Sequence, residues 1–110
     1  MTAAEIYNAL RSTGIPVAYY AFTKETAKPC PFICYFFAGS DDFKADNSNY
    51  AGINHLFVEL YTDNKDFALE KTVQDALNAA GIVYERAEEY IDTESMYQIT
   101  FESEVVITNG

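Results

Sequence analysis

Apolar residues recur at helical spacing in two stretches of this chain and at strand-like spacing in five others, which divides it into seven elements. Near the start, Ala3, Ile6, Tyr7 and Leu10 fall on one helical face. Thr2 and Glu5 have the spacing of a capping box, in which each side chain satisfies a backbone N–H left free at the helix start. Gly14 and Pro16 supply the stop. Two β-rich runs follow, VAYYAF at 17–22 and PFICYFFA at 31–38, with the polar turn TKETAK at 23–28 between them. The second run is apolar on both parities, so both of its faces call for cover, one of them from another chain.

The run NHLFVELYT at 54–62 alternates: Leu56, Val58 and Leu60 take one face, and His55, Phe57, Glu59 and Tyr61 the other. The period then changes. Asp63 or Asn64 can cap a helix with Asp66 in its first turn; Leu69, Val73, Ala76, Leu77 and Ala80 form its apolar face, and Gly81 ends it. Glu70, Lys71, Gln74, Asp75 and Asn78 read as its solvated side. Two last strands at 82–91 and 96–107 are joined through 92–95. In the second, Tyr97, Ile99, Phe101, Val105 and Ile107 share one parity, with Gln98, Thr100, Glu102 and Glu104 on the acidic other.

The order α-β-β-β-α-β-β predicts an α+β fold: one mostly antiparallel or mixed five-stranded sheet with both helices on one face. The helix between the third and fourth strands crosses the sheet, in a right-handed sense if those strands are parallel neighbours. Solvent or neighbouring copies are left to meet the other face, which carries several aromatics. A length of 110 residues suits a single domain over 1–110.

The segment 39–52, GSDDFKADNSNYAG, reads as a long loop, a class that is often functional. Asp41, Asp42, Asp46, Asn47 and Asn49 offer hard oxygens for calcium, but the spacing is not that of an EF-hand and the closing glutamate is missing. Docking onto a partner through Phe43 and Tyr50 is the stronger of these two functional readings, beside a solvated hairpin tip with no role.

Charge narrows the partners. Seven Lys and Arg against seventeen Asp and Glu give a net charge of −10, which disfavours tight nucleic-acid binding and anionic membranes. Such a surface keeps a protein soluble, faces DNA without gripping it, or imitates DNA for a basic partner. Cys30 and Cys34 would stand about 13 Å apart along one strand, beyond the ~7 Å that a disulfide spans. They read as small apolar residues in a reducing compartment, with no zinc site available. Neither a signal peptide nor an apolar run of the ~20 residues needed to span a bilayer is present, so the expectation is a cytoplasmic protein.

Candidate chemistry is thin. His55 and Glu59, about 13 Å apart on a strand, are too distant to act as an acid–base pair. Glu102 and Glu104, about 7 Å apart, approach the separations of glycoside hydrolysis, but no cleft is readable around them. The residues assemble no nucleophile with its base, no metal cluster and no phosphate loop. The expectation is a non-enzymatic protein without cofactor or metal.

The succession IPVAYYAF, PFICYFFAGSDDFKADNSNY and the run from INHLFVELYTDNKDF to GIVYERAEEYIDTESMYQITFESEVVI resembles small proteins of the head–tail and tail modules of siphophages and prophages. These are the minor capsid, tail-completion or tail-terminator proteins of phages infecting Gram-positive bacteria. The resemblance covers residues 6–107. It implies a virion structural protein, made in the host cytoplasm, that assembles as a ring, commonly six-fold, at the head-proximal end of the tail tube. Such a ring stops tube growth, meets the head connector and encloses a DNA channel that an acidic lining would suit. Candidate contacts with other subunits or the tube are Asp41, Asp42, Phe43, Lys44 and Tyr50 of the loop, with Tyr35, Phe37, Phe57 and Tyr61 of the strands. The alternative is a monomeric acidic module that imitates DNA and inhibits a basic partner.

Overall fold

The computed structural model describes residues 1–22, 29–41 and 52–108. Its elements follow the expected order: α1 (Ala3–Arg11), β1 (Val17–Tyr19), β2 (Phe32–Asp41), β3 (Gly52–Thr62), α2 (Phe67–Ala79), β4 (Glu85–Ile91) and β5 (Met96–Ile107). The strands form one mixed sheet in the order β1-β2-β3-β5-β4. Only the β1–β2 pair is parallel. β3 and β4 are therefore parallel to each other but not neighbours, because β5 inserts between them and the α2 crossover skips one strand.

Both helix starts are capped by side chains. Thr2 Oγ1 accepts from the Glu5 N–H at 3.1 Å and Glu5 Oε1 accepts from the Thr2 N–H at 2.9 Å, completing the capping box. That hydrogen bonding holds the Glu5 carboxyl below its usual range. In α2 the cap is Asp66, whose Oδ1 accepts from the Leu69 N–H at 3.0 Å. Asp63 and Asn64, the expected caps, precede it in the turn, too early to reach the first free N–H groups. Gly81, at φ +77°, follows the helix end as expected.

Four strands differ in length from their expected spans, β3 by starting at Gly52 instead of residue 54. β1 stops at Tyr19 because Tyr20 adopts φ +71°, a left-handed conformation that leaves the extended path. β2 instead runs on to Asp41, because a bulge between Phe37 and Ser40, with Gly39 at φ +84°, absorbs one extra residue and restores pairing with β3. The expected loop at 39–52 thus loses residues at both ends to strands. β4 begins only at Glu85. Ile82 is held beneath α2 by its N–H to the Leu77 carbonyl at 2.9 Å, and the Val83 carbonyl accepts from Ser103 Oγ at 2.5 Å.

One face of the sheet packs against both helices. Ile6 and Leu10 of α1 and Val73 and Leu77 of α2 meet Ile33, Leu56, Val58, Leu60, Ile99 and Phe101, all nearly inaccessible to solvent. Glu70 is buried among them, although the sequence assigned it to the solvated side of α2. Its carboxylate lies between two cations, Lys65 at 2.6 Å and Arg86, and Glu88 of β4 in turn contacts both. The cluster ties α2 to the edge strand.

Candidate functional site

Alternation turns the other parity of each strand toward the opposite face, over which no described helix lies. Reading across the sheet from β2 to β4, register sets Phe32, Tyr61, Gln98 and Glu89 in one row and Cys34, Glu59, Thr100 and Ala87 in the next. A third row holds Phe36, Phe57, Glu102 and Glu85, and beyond it His55 pairs with Glu104. The rows place aromatics on β2 and β3 and carboxylates on β5 and β4.

The aromatic columns are in ring contact. Tyr20 stacks on Phe36 with centroids 5.1 Å apart, and Phe36 stacks on Phe57 at 5.2 Å and 9°. Phe32 stacks on Tyr61 at 4.8 Å, and Phe22 meets Phe32 edge-on at 5.5 Å. Each such contact contributes about 0.5–1.5 kcal/mol beyond area burial, so the stacks are pre-formed, rigid surfaces. Tyr20 is 61% exposed and caps the row. Its left-handed backbone is what aims the ring at Phe36 instead of continuing β1.

Between the two halves Glu59 gathers the polar contacts. Its Oε1 accepts from the Tyr61 hydroxyl at 2.9 Å and its Oε2 from the Gln98 amide at 2.7 Å. Burial, reinforced by the hydrogen bond to Glu59, pushes the Tyr61 phenol well above its ordinary value. Burial and the Glu59 charge push the Cys34 thiol up to about 11, and burial raises Cys30 also. Both cysteines are free thiols, one buried and one half-buried, and protonated near neutral pH. Cys30 lies before β2, so the two do not share a strand face.

The acidic half includes a concavity that the sequence did not suggest. His55, Val83, Tyr84, Glu85, Glu102 and Glu104 line an open groove of about 440 Å³. Glu102 and Glu104 are exposed, and Glu102 stands opposite Glu85, a like-charge pair that costs stability. Among the described residues no three His, Cys, Asp or Glu side chains are grouped as a metal site. No helix among them is long and apolar enough to cross a membrane.

The structure separates the residues expected to make contacts. Phe57 and Tyr61 lie on the open face. Tyr35 and Phe37 point the other way: Tyr35 is buried in the core, Phe37 packs against it, and both meet the Tyr19 ring. Asp41 ends β2 in register with Ile53. Asp42, Phe43, Lys44 and Tyr50, the remaining calcium candidates Asp46, Asn47 and Asn49, and the turn at 23–28 lie outside the described residues. Reasoning from sequence missed the Tyr20–Phe36–Phe57 stack, whose signal was the apolar run on both parities of β2.

No protein-family model matches the chain, nor does any curated protein sequence. Among solved structures, the chain is similar to one in the virion of a native gene transfer agent particle. That match has a TM-score of 0.62 and 16% identity, and covers 94% of this chain and 92% of the other. It extends over nearly the whole length of both chains and, at that identity, shows a shared fold.

Proposed function

We propose that this chain is a non-enzymatic structural subunit of a phage or prophage tail or head–tail module. In its finer form the reading is a tail terminator: a single-domain subunit that closes into a ring on the tail tube and joins it to the head connector. The end-to-end likeness in fold to a chain of a gene transfer agent virion carries the reading. The sequence resemblance to head–tail and tail-module proteins agrees with it. The open face supports it as well, since partly exposed, stacked aromatics beside polar groups have the chemistry of a contact surface. The glutamate columns suit a wall past which DNA moves without adhering. Within this reading Phe57 and Tyr61, with Asp41, Asp42, Phe43, Lys44 and Tyr50, contact neighbouring subunits or the tube, and Phe43→Ala weakens assembly while leaving melting unchanged.

Polymerisation of the cognate tube protein with and without this chain tests the reading. Tubes capped at one end and limited in length are expected when it is added. Tubes that grow equally long and uncapped in its presence would contradict it.

A second reading draws on the carboxylates Glu85, Glu89, Glu102 and Glu104, which share one face. A monomeric DNA-imitating inhibitor would capture a basic protein with an affinity that falls steeply with salt, and would cap no tube.

A further inference from the structure

Two features stand at opposite edges of the sheet and at the same height along it. At the β1 edge, Tyr7 and Arg11 of α1 with Ile15, Pro16, Val17 and Phe22 wall an apolar groove of about 460 Å³. At the β4 edge, Tyr90 is 48% exposed and braced edge-on against Tyr97 at 4.9 Å. Exposed Asp92 and Glu94 follow it in the turn that joins β4 to β5. Register fixes the heights. Val17 pairs with Ile33, Ile33 with Leu60, Leu60 with Ile99 and Ile99 with Glu88, so Val17 and Glu88 end the same row. β1 and β4 run in opposite directions, so the segment leading into Val17 and the residues following Glu88, Tyr90 among them, lie toward the same end of the sheet. Val17, Glu88 and Tyr90 share the parity of the helix-covered face, the side on which α1 carries Arg11.

We infer that these two edges meet between copies of this chain: Tyr90 of one copy enters the groove beside β1 of the next, and Asp92 and Glu94 of the turn after β4 lie against Arg11. The inference rests on the ring reading above and names the surfaces that close the ring. Charge favours this contact. Copies that each carry −10 repel one another, so a contact between them needs a cation facing carboxylates. Of the described lysine and arginine side chains, Lys65 and Arg86 are held by Glu70 and Glu88, and Lys71 pairs with Asp75 at 2.9 Å. Arg11 remains, exposed and without an ion pair to any described residue. A tyrosine seated in an apolar groove beside an arginine is the combination that dominates interface energies. The two patches differ and lie at opposite edges, so the contact is heterologous. It repeats head to tail and closes into a ring when the rotation per subunit permits.

Sedimentation of wild type, Arg11→Glu, Tyr90→Ala and an equimolar mixture of the two variants tests this. Circular dichroism melts would show that both variants fold. The wild type is expected to form a closed multimer and each variant alone to associate about 30-fold or more weakly, the loss typical of an interface anchor. The mixture should give 1:1 dimers and nothing larger, because each pair retains one intact groove and one intact tyrosine. A multimeric wild type whose folded variants assemble as it does would overturn the contact and leave the ring reading standing. A wild type that stays monomeric at every concentration would overturn both.

Discussion

Alternate residues of the same strands build two faces of opposite character. On the covered face Leu56, Val58, Leu60, Ile99 and Phe101 are almost wholly removed from water by α1 and α2, and the polar exception, Glu70, is held by Lys65 and Arg86. On the open face no described helix lies over Phe36, Phe57, Tyr61 or the glutamates, and the aromatics are half-buried mainly by stacking on one another. The covered face is therefore where stability resides. The open face can change without unfolding the chain, which leaves it available for contacts with other molecules.

The largest difference between the faces should come from truncating one ring on each. Phe101→Ala is expected to cost about 3–5 kcal/mol in urea denaturation, because it opens a cavity under both helices. Phe57→Ala should cost roughly 1 kcal/mol, the scale of a lost stack, with its main effect on association. Equal losses at the two positions would erase the distinction.

Glu70 sharpens the comparison on the covered side. Glu70→Ala should lower stability by about 2 kcal/mol, since Arg86 and Lys65 lose the buried carboxylate that pairs them. Lys71→Ala, on the solvated side of the same helix, should stay within about 0.5 kcal/mol.

Titration should separate the two faces by sign. The Glu88 carboxyl is held below its ordinary value of 4.5, chiefly by the hydrogen bond from Lys65. Its contribution is present above about pH 4.5 and is lost as pH falls through the lower folded value. The Cys34 thiol is raised from 9.0 to about 11, so its contribution is present below pH 9 and is lost as pH rises through 11. Thermal melts of Glu88→Gln and Cys34→Ala should therefore flatten the acid and alkaline limbs respectively; unchanged limbs would contradict the assignments. The smallest expected effect is a gain: Glu102→Gln, by relieving the repulsion across from Glu85, should stabilise the chain by a few tenths of a kcal/mol in the same melts.

Much of the fold was legible because period and parity are strong signals. The alternation of 54–62 placed Leu56, Val58 and Leu60 inward and His55, Phe57, Glu59 and Tyr61 outward, as observed. Where both parities are apolar, parity stops discriminating. That is why Tyr35 and Phe37 were grouped with Phe57 and Tyr61, although register pairs them with Val58 and Leu56 of the core. The end of β1 and the continuation of β2 turn on single backbone conformations at Tyr20 and Gly39. Composition does not announce these. Glu70 could have been suspected, because Val73 and Leu77 follow it at three and seven residues on the same helical face. A buried ion cluster also needs partners from the turn before α2 and from β4, and sequence spacing does not bring these together.

Electron microscopy of the purified chain, alone and mixed with tube protein, tests most directly whether the open face and sheet edges serve assembly. Closed rings of fixed size, seated on one end of the tubes in the mixture, are predicted. Isolated monomers at every concentration, with bare tube ends beside them, would contradict the account.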